Sequence, residues 1–154
     1  MPKHPAVGDD APDFELEGTD GAFRLSEHLG EKVLLLFYPG DETTVCTKQF
    51  CAYRDNSEAF GALGVTAVGI SGKDAESKRS FTDHHELNVP LLADPDLSVA
   101  ASYDAKSRLG MAKRAVIIVD EEGKVAYRHD HALGLDFQTV AELKEALDSL
   151  PARA

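Results

Sequence analysis

Cys46 and Cys51 are the only two thiols of this 154-residue chain. They lie five residues apart in the stretch Y-P-G-D-E-T-T-V-C-T-K-Q-F-C-A-Y-R-D, from Tyr38 to Asp55. A cysteine does chemistry as its thiolate, which is both the nucleophile and the metal ligand. Local signals put Cys46 where that form is favoured. Thr43 or Thr44 is a good N-cap for a helix, so Cys46 falls in or beside the first turn. Free backbone N–H groups and the helix dipole both favour negative charge there. Free cysteine is also among the most buried residue types, so two small hydrophobes in a core helix is the other reading of the same residues. Zinc held by both thiols would need further ligands at matching spacing, and none is evident. His84-His85 and His129-Asp130-His131 lie in polar, acidic segments and read as solvated. No metal or other cofactor is expected.

The flanking elements follow from pattern. Val33-Leu34-Leu35-Leu36-Phe37 is a short apolar run that reads as a fully buried strand. Pro39-Gly40-Asp41 breaks it before the cysteine helix, which is expected to run to about Leu63 with Phe50, Tyr53, Phe60 and Leu63 on one face. Gly64 then serves as a C′ residue, and Val65 to Ile70 is a second buried strand. Ser71 to His85 is charged and reads as an exposed helix. Pro90 to Ala93 is a short strand, Asp94-Pro95 opens a small helix through Tyr103, and Lys106 to Lys113 is a loop. Ala115 to Val119, a turn at Asp120 to Gly123, and Lys124 to Arg128 form a strong hairpin signal. Phe137 to Leu150 closes the chain as an amphipathic helix. At the other end, Phe14 to Glu17 and Ala22 to Leu25 form a hairpin around Gly18 to Gly21, and Ser26 to Gly30 is one helical turn. The order predicts an α/β fold with a mixed central sheet and helices on both faces. The crossover rule makes the Val33 and Val65 strands parallel neighbours. Cys46 then sits at the carboxyl end of a central strand, where open α/β sheets place their sites.

Composition bounds the function class. The length suits one domain, residues 1–154, large enough to bury a core without disulfide staples. A formal net charge of -11 argues against nucleic acid and anionic membrane as partners, since both require basic clusters. The first ten residues lack the apolar core of a signal peptide, and no apolar run is long enough to span a bilayer. A cytoplasmic protein is therefore expected, where paired cysteines are redox-active or metal-binding more often than structural.

Pro39-x-x-x-Thr43-x-x-Cys46 resembles the P-x-x-x-T-x-x-C signature of the peroxiredoxins. The further cysteine in Cys46-T-K-Q-F-Cys51 resembles the bacterioferritin comigratory protein, or peroxiredoxin Q, branch. G-D-x-A-P-D-F at Gly8 to Phe14, V-G-I-S at Val68 to Ser71 and L-L-A-D-P-D at Leu91 to Asp96 extend the resemblance over nearly the whole chain. Lys113 to Asp120 is similar to the strand that carries that family's active-site arginine, here Arg114. The chain departs from the pattern in three places. Thr44-Val45 stands where Pro-Gly is common, Gln49 where glutamate is common, and the Tyr103 to Arg114 segment is shorter and lacks a tryptophan.

The resemblance implies a thioredoxin-like fold and reduction of hydrogen peroxide and organic hydroperoxides. Cys46 is then the peroxidatic thiol, oxidised to a sulfenic acid, and Cys51 the resolving thiol, giving an intramolecular disulfide recycled by thioredoxin or a similar dithiol. Thr43 and Arg114 assist at the reacting sulfur and Pro39 shields it. A monomer is expected, because both thiols lie in one helix. Read without the resemblance, Arg114 is a surface arginine opening a strand, Thr43 an N-cap, and Arg54 either a brace or a solvated helix arginine. Gly61-Ala62-Leu63-Gly64 resembles a glycine motif of oxidation-sensitive peroxiredoxins, but at a helix end it reads as a cap, which predicts resistance to over-oxidation. Two rivals remain from the residues themselves. A general thiol–disulfide oxidoreductase usually calls for C-x-x-C, and a redox sensor would use the disulfide as a switch.

Overall fold

Val33–Phe37 (β3) has both neighbours and both faces covered, which is why its sequence runs apolar without alternation. The computed structural model describes residues 5–41, 44–108, 110–130 and 139–150. β3 lies at the centre of a five-stranded sheet in the order β5-β4-β3-β6-β7. Thr66–Ser71 (β4) runs parallel to it, and Leu91–Ala93 (β5) runs parallel to β4. Ala115–Val119 (β6) is antiparallel to β3, with Ala115 opposite Phe37, and Val125–Asp130 (β7) pairs antiparallel with β6. The sheet is mixed, and β3 and β4 are the expected parallel neighbours.

The alternation along β3 divides the core. Leu34 and Leu36 join one cluster with Phe50, Tyr53, Phe81, Val116, Ile118 and Leu143. That face is covered by Thr44–Asp55 (α1), Ala75–His85 (α3) and Val140–Asp148 (α5). Val33, Leu35 and Phe37 face the other cluster, with Ile70, Ile117, Tyr103 and Phe14. The five-residue Ser98–Ser102 (α4) and the N-terminal hairpin cover that side. Helices therefore lie on both faces, with the longer ones on one. The hairpin pairs Glu15–Leu16 (β1) with Phe23–Arg24 (β2) and leads into a 3-10 turn at Leu25–His28. Its loop donates Thr19 N–H to Leu91 O at 3.0 Å, and Ala93 N–H donates to Glu17 O at 2.8 Å, which covers the edge of β5.

Four boundaries differ from the sequence expectation by more than two residues. The cysteine helix does not continue to Leu63: it stops at Asp55, and Ser57–Gly61 (α2) follows after Asn56, whose ψ is 36°. The Asn56 side chain donates to Ala52 O at 2.8 Å, the local competition that makes asparagine a poor helix interior residue. Gly64, at φ 68°, ends this unit as expected. The next helix begins at Ala75 rather than Ser71, because Ser71 completes β4 and Asp74 caps the helix by accepting from Ser77 N–H at 2.8 Å. Nor is this helix exposed all round, since Lys78 and Phe81 are fully buried. The small helix starts at Ser98, held by the Asp94 carboxylate, which accepts from Ala100 N–H at 2.8 Å and Val99 N–H at 3.3 Å. The last helix starts at Val140 behind a Thr139–Glu142 capping box; Phe137 lies outside the described residues.

Gly69 marks where α1 meets the sheet. A Cβ there would stand 2.8 Å from Leu91 Cδ2 and 2.9 Å from Phe50 Cζ, both in buried side chains. Gly69→Ala is expected to lower unfolding free energy by about 1–3 kcal/mol through overpacking, measured by urea denaturation. An unchanged midpoint would show that α1 can lift from β4 without strain.

Candidate active site

Cys46 is the third residue of α1 and has no solvent exposure. No acidic residue stands in the first turn of this helix, so the turn itself sets no like charge against a thiolate. Thr43 lies outside the described residues, as does the side chain of Thr44, so the expected cap does not enter the geometry. Arg114 immediately precedes β6, and the Ala115–Phe37 pairing brings it beside the end of β3. Its Nη2 donates to Cys46 Sγ at 2.9 Å, while its Nη1 donates to Gln49 Oε1. Arg114 is 2 % exposed. It is not the surface arginine that a strand-opening position suggests. A permanent cation held against a buried sulfur favours the thiolate.

Gln49 is the residue whose importance sequence reasoning missed. It lies one turn along α1 from Cys46 and is buried. Its amide oxygen orients Arg114, and its Nε2 donates to Tyr53 OH at 3.2 Å. Burial raises the Tyr53 phenol above its ordinary range, so it stays a neutral partner. The i, i+3 and i, i+4 spacings of Cys46, Gln49, Phe50 and Tyr53 were the available signal, because they define one inward face.

Cys51, half-buried, lies in the same helix, and both thiols are free. Five helical residues rise about 7.5 Å, so their Cα atoms exceed the roughly 7 Å limit for an unstrained bridge. Pro39 is half-buried and, with Gly40, Lys73, Leu97 and Met111, lines a cavity of about 310 Å³ next to the turn that leads into α1. A cavity of about 230 Å³ opens elsewhere, against Val33 and Val119. These residues are at the opposite ends of β3 and β6 from Phe37 and Ala115, and carboxylates of Asp10, Asp13, Asp120 and Glu122 line it without a cysteine. The chemistry belongs at the other end of the sheet.

Other candidates separate from this centre. Arg54 contacts Asp55 Oδ1 through Nε at 2.9 Å and donates to His85 O, so its fork faces away from Cys46. His84 and His85 pack ring to ring at the end of α3, and His131 lies outside the described residues. Among the described residues no cluster of metal-ligating side chains occurs. A second buried cation, Lys78, does approach the helix start and interacts electrostatically with Cys46. Burial lowers its pKa to about 8 against the opposing pull of Asp41. Burial likewise raises the Tyr38 phenol, with Asp41 adding to it.

The AhpC/TSA family profile matches residues 7–128. Peroxiredoxin Bcp of Bacillus subtilis is 33% identical over 128 residues, covering 77% of this chain and 81% of the relative. The chloroplastic peroxiredoxin Q of Oryza sativa subsp. japonica is 36% identical over 146 residues, covering 93% of this chain and 65% of the relative. Among solved structures, peroxidoxin BcpB of Mycobacterium tuberculosis superposes with a TM-score of 0.80 at 32% identity, covering 94% of this chain and 96% of that one. A reduced 2-Cys peroxiredoxin of Plasmodium vivax gives a TM-score of 0.85 at 26% identity, covering 93% and 80%. With a reactive-site geometry around Cys46 and these matches along most of its length, the chain belongs to the peroxiredoxins of the AhpC/TSA family and is similar within it to peroxiredoxins Bcp and Q.

Proposed function

We propose that in this thiol-dependent peroxidase Cys46 is the peroxidatic thiol and Cys51 the resolving one. The observation that carries the assignment is the 2.9 Å contact from Arg114 Nη2 to Cys46 Sγ inside the core. The Cys46 thiolate attacks the nearer oxygen of a hydroperoxide. An S–O bond forms, the O–O bond breaks, and the departing oxygen takes a proton to leave as water or an alcohol. Negative charge develops on that oxygen, so donors aimed at it lower the barrier. Arg114 is one such donor, and Thr43, three residues before Cys46 in the sequence, is the other in this reading. Pro39 limits access of bulk water. Hydrogen peroxide and organic hydroperoxides are both substrates in this reading.

Cys51 then attacks the sulfenic sulfur, an S–S bond forms, and water leaves. The first turns of α1 must unwind for this step, because the helix holds the two residues too far apart. A thioredoxin-type dithiol regenerates both thiols by exchange and is itself oxidised to a disulfide. The finer reading is a single-domain, cytoplasmic monomer without nucleic-acid or membrane partners. It is supported by both thiols lying in one helix, by the net charge of -11, and by the absence, among the described residues, of a helix long and apolar enough to cross a membrane. The cap geometry at Gly64 supports resistance to over-oxidation.

One equivalent of hydrogen peroxide added to the reduced protein is expected to remove two hydrogens from its intact mass. Cys51→Ser should instead retain an added oxygen, and Cys46→Ser should not react. A wild type that stays reduced would overturn the assignment. Hydrogen exchange should quicken from residue 44 to residue 52 on oxidation; unchanged protection there would exclude the unwinding step. Arg114→Met is expected to slow the reaction of Cys46 with peroxide by roughly 10²–10³-fold, the usual loss for a preorganised donor, as read by stopped-flow.

A further inference from the structure

Tyr38 and Asp41, which follow β3, are fastened in a buried polar cluster with Lys78 at its centre. Lys78 lies in the first turn of α3 and has no solvent exposure. Its Nζ donates to Ser71 Oγ at 2.5 Å, at the end of β4, and to Tyr38 OH at 3.0 Å, just past β3. It also reaches Asp41 Oδ1 at 3.3 Å. Asp41, in the turn before α1, accepts from Tyr38 OH at 2.6 Å and from Ser77 Oγ at 2.7 Å. The ammonium lies 4.9 Å from the centre of the Tyr38 ring, which packs edge-on against Phe50 of α1.

A buried ion pair is not needed for stability, since apolar residues of similar volume often serve as well or better. Its placement is what matters. Asp41 is five residues before Cys46, and the other hydrogen-bond partners of the ammonium, Tyr38 and Ser71, lie at the ends of β3 and β4. We propose that Lys78 is a positioning residue of the peroxidase: through Asp41 and Tyr38 it fixes the entry to α1 and keeps Cys46 in the geometry that reacts with peroxide. The proposal rests on Cys46 being the peroxidatic thiol. The charged groups acting on the ammonium are Asp41 from the turn, Cys46 from α1 and Asp74 from its own helix. Its positive charge therefore adds to that of Arg114 at the sulfur, and its hydrogen bonds hold Tyr38 and Asp41 ahead of the helix start. Both effects favour the peroxide step. Neither assists the resolving step, which requires the same turn to open.

The test is stopped-flow kinetics on the full-length reduced protein, reading peroxide oxidation of Cys46 and the following disulfide formation as separate rates. Lys78→Met is expected to slow the first by roughly ten- to a hundredfold, the scale of a small misplacement of a reacting group, and to leave the second unslowed or faster. Lys78→Arg, which keeps the charge, should retain more of the first rate. An unchanged peroxide step in folded Lys78→Met, or equal slowing of both steps, would overturn the proposal. If Lys78→Met does not fold, Tyr38→Phe and Ser71→Ala must show the same selective slowing to a smaller degree, and its absence in both would overturn it equally. Failure of the underlying assignment would look different, as wild type that peroxide does not oxidise at Cys46.

Discussion

A sulfur that must be ionised and also sheltered from water needs a cation buried with it, and the contact between Arg114 and Cys46 meets that constraint. Guanidinium is costly to bury, so it has to be hydrogen-bonded on more than one side. Gln49 answers this need on Nη1 while the sulfur takes Nη2. Both groups are set by the sheet. Arg114 is fixed by the antiparallel β3–β6 register, and α1 is seated on the same strands by Phe50 and Tyr53. Gly69 lets Phe50 approach the sheet closely. The core is thus arranged so that a side chain ahead of one strand and a side chain at a helix start, 68 residues apart, meet within hydrogen-bond distance.

The same helix imposes a conflict. Regular α1 geometry places Cys46 against Arg114 but holds Cys51 away from it. A site that does both steps must therefore have a helix start that is stable enough to react and cheap enough to open. The break at Asn56 keeps α1 to twelve residues, separate from α2. Outward-facing positions such as Lys48 are exposed. In the proposed resolving step, unwinding its first turns costs the hydrogen bonds and packing of Cys46 and Gln49. Local opening of this kind requires far less free energy than global unfolding.

How much of this was legible in the sequence follows from what each signal measures. The strands β3, β4 and β6 declared themselves by unbroken apolar runs, and the crossover rule made β3 and β4 parallel neighbours, whereas the antiparallel pairing of β3 with β6 emerged only in the structure. Cys46, Cys51 and Arg114 were found by motif, and the structure brings Cys46 and Arg114 together while leaving Cys51 apart. The break at Asn56 was hidden because the apolar spacing carries on through it: Phe60 and Leu63 still pack on the same cluster. Lys78 was hidden for a different reason. Charge was read as exposure, whereas its three-residue spacing from buried Phe81 put both on one face. Gln49 looked like a lost carboxylate. A neutral amide oxygen can still accept from Arg114, and its amide nitrogen adds a donor that carboxylate lacks.

The distribution of charge separates two tasks. The chain as a whole carries -11, yet Arg114 and Lys78, which both act on the Cys46 sulfur, are buried. Surface cations would draw in anions over long range; buried ones act only on what is already next to them. Hydroperoxides are neutral near pH 7, so an acidic surface does not hinder their approach and no steering charge is needed. In the proposed reaction the positive charge lies where negative charge sits and develops, on the sulfur and on the departing oxygen. An acidic exterior with a locally cationic interior is thus consistent with a small neutral oxidant.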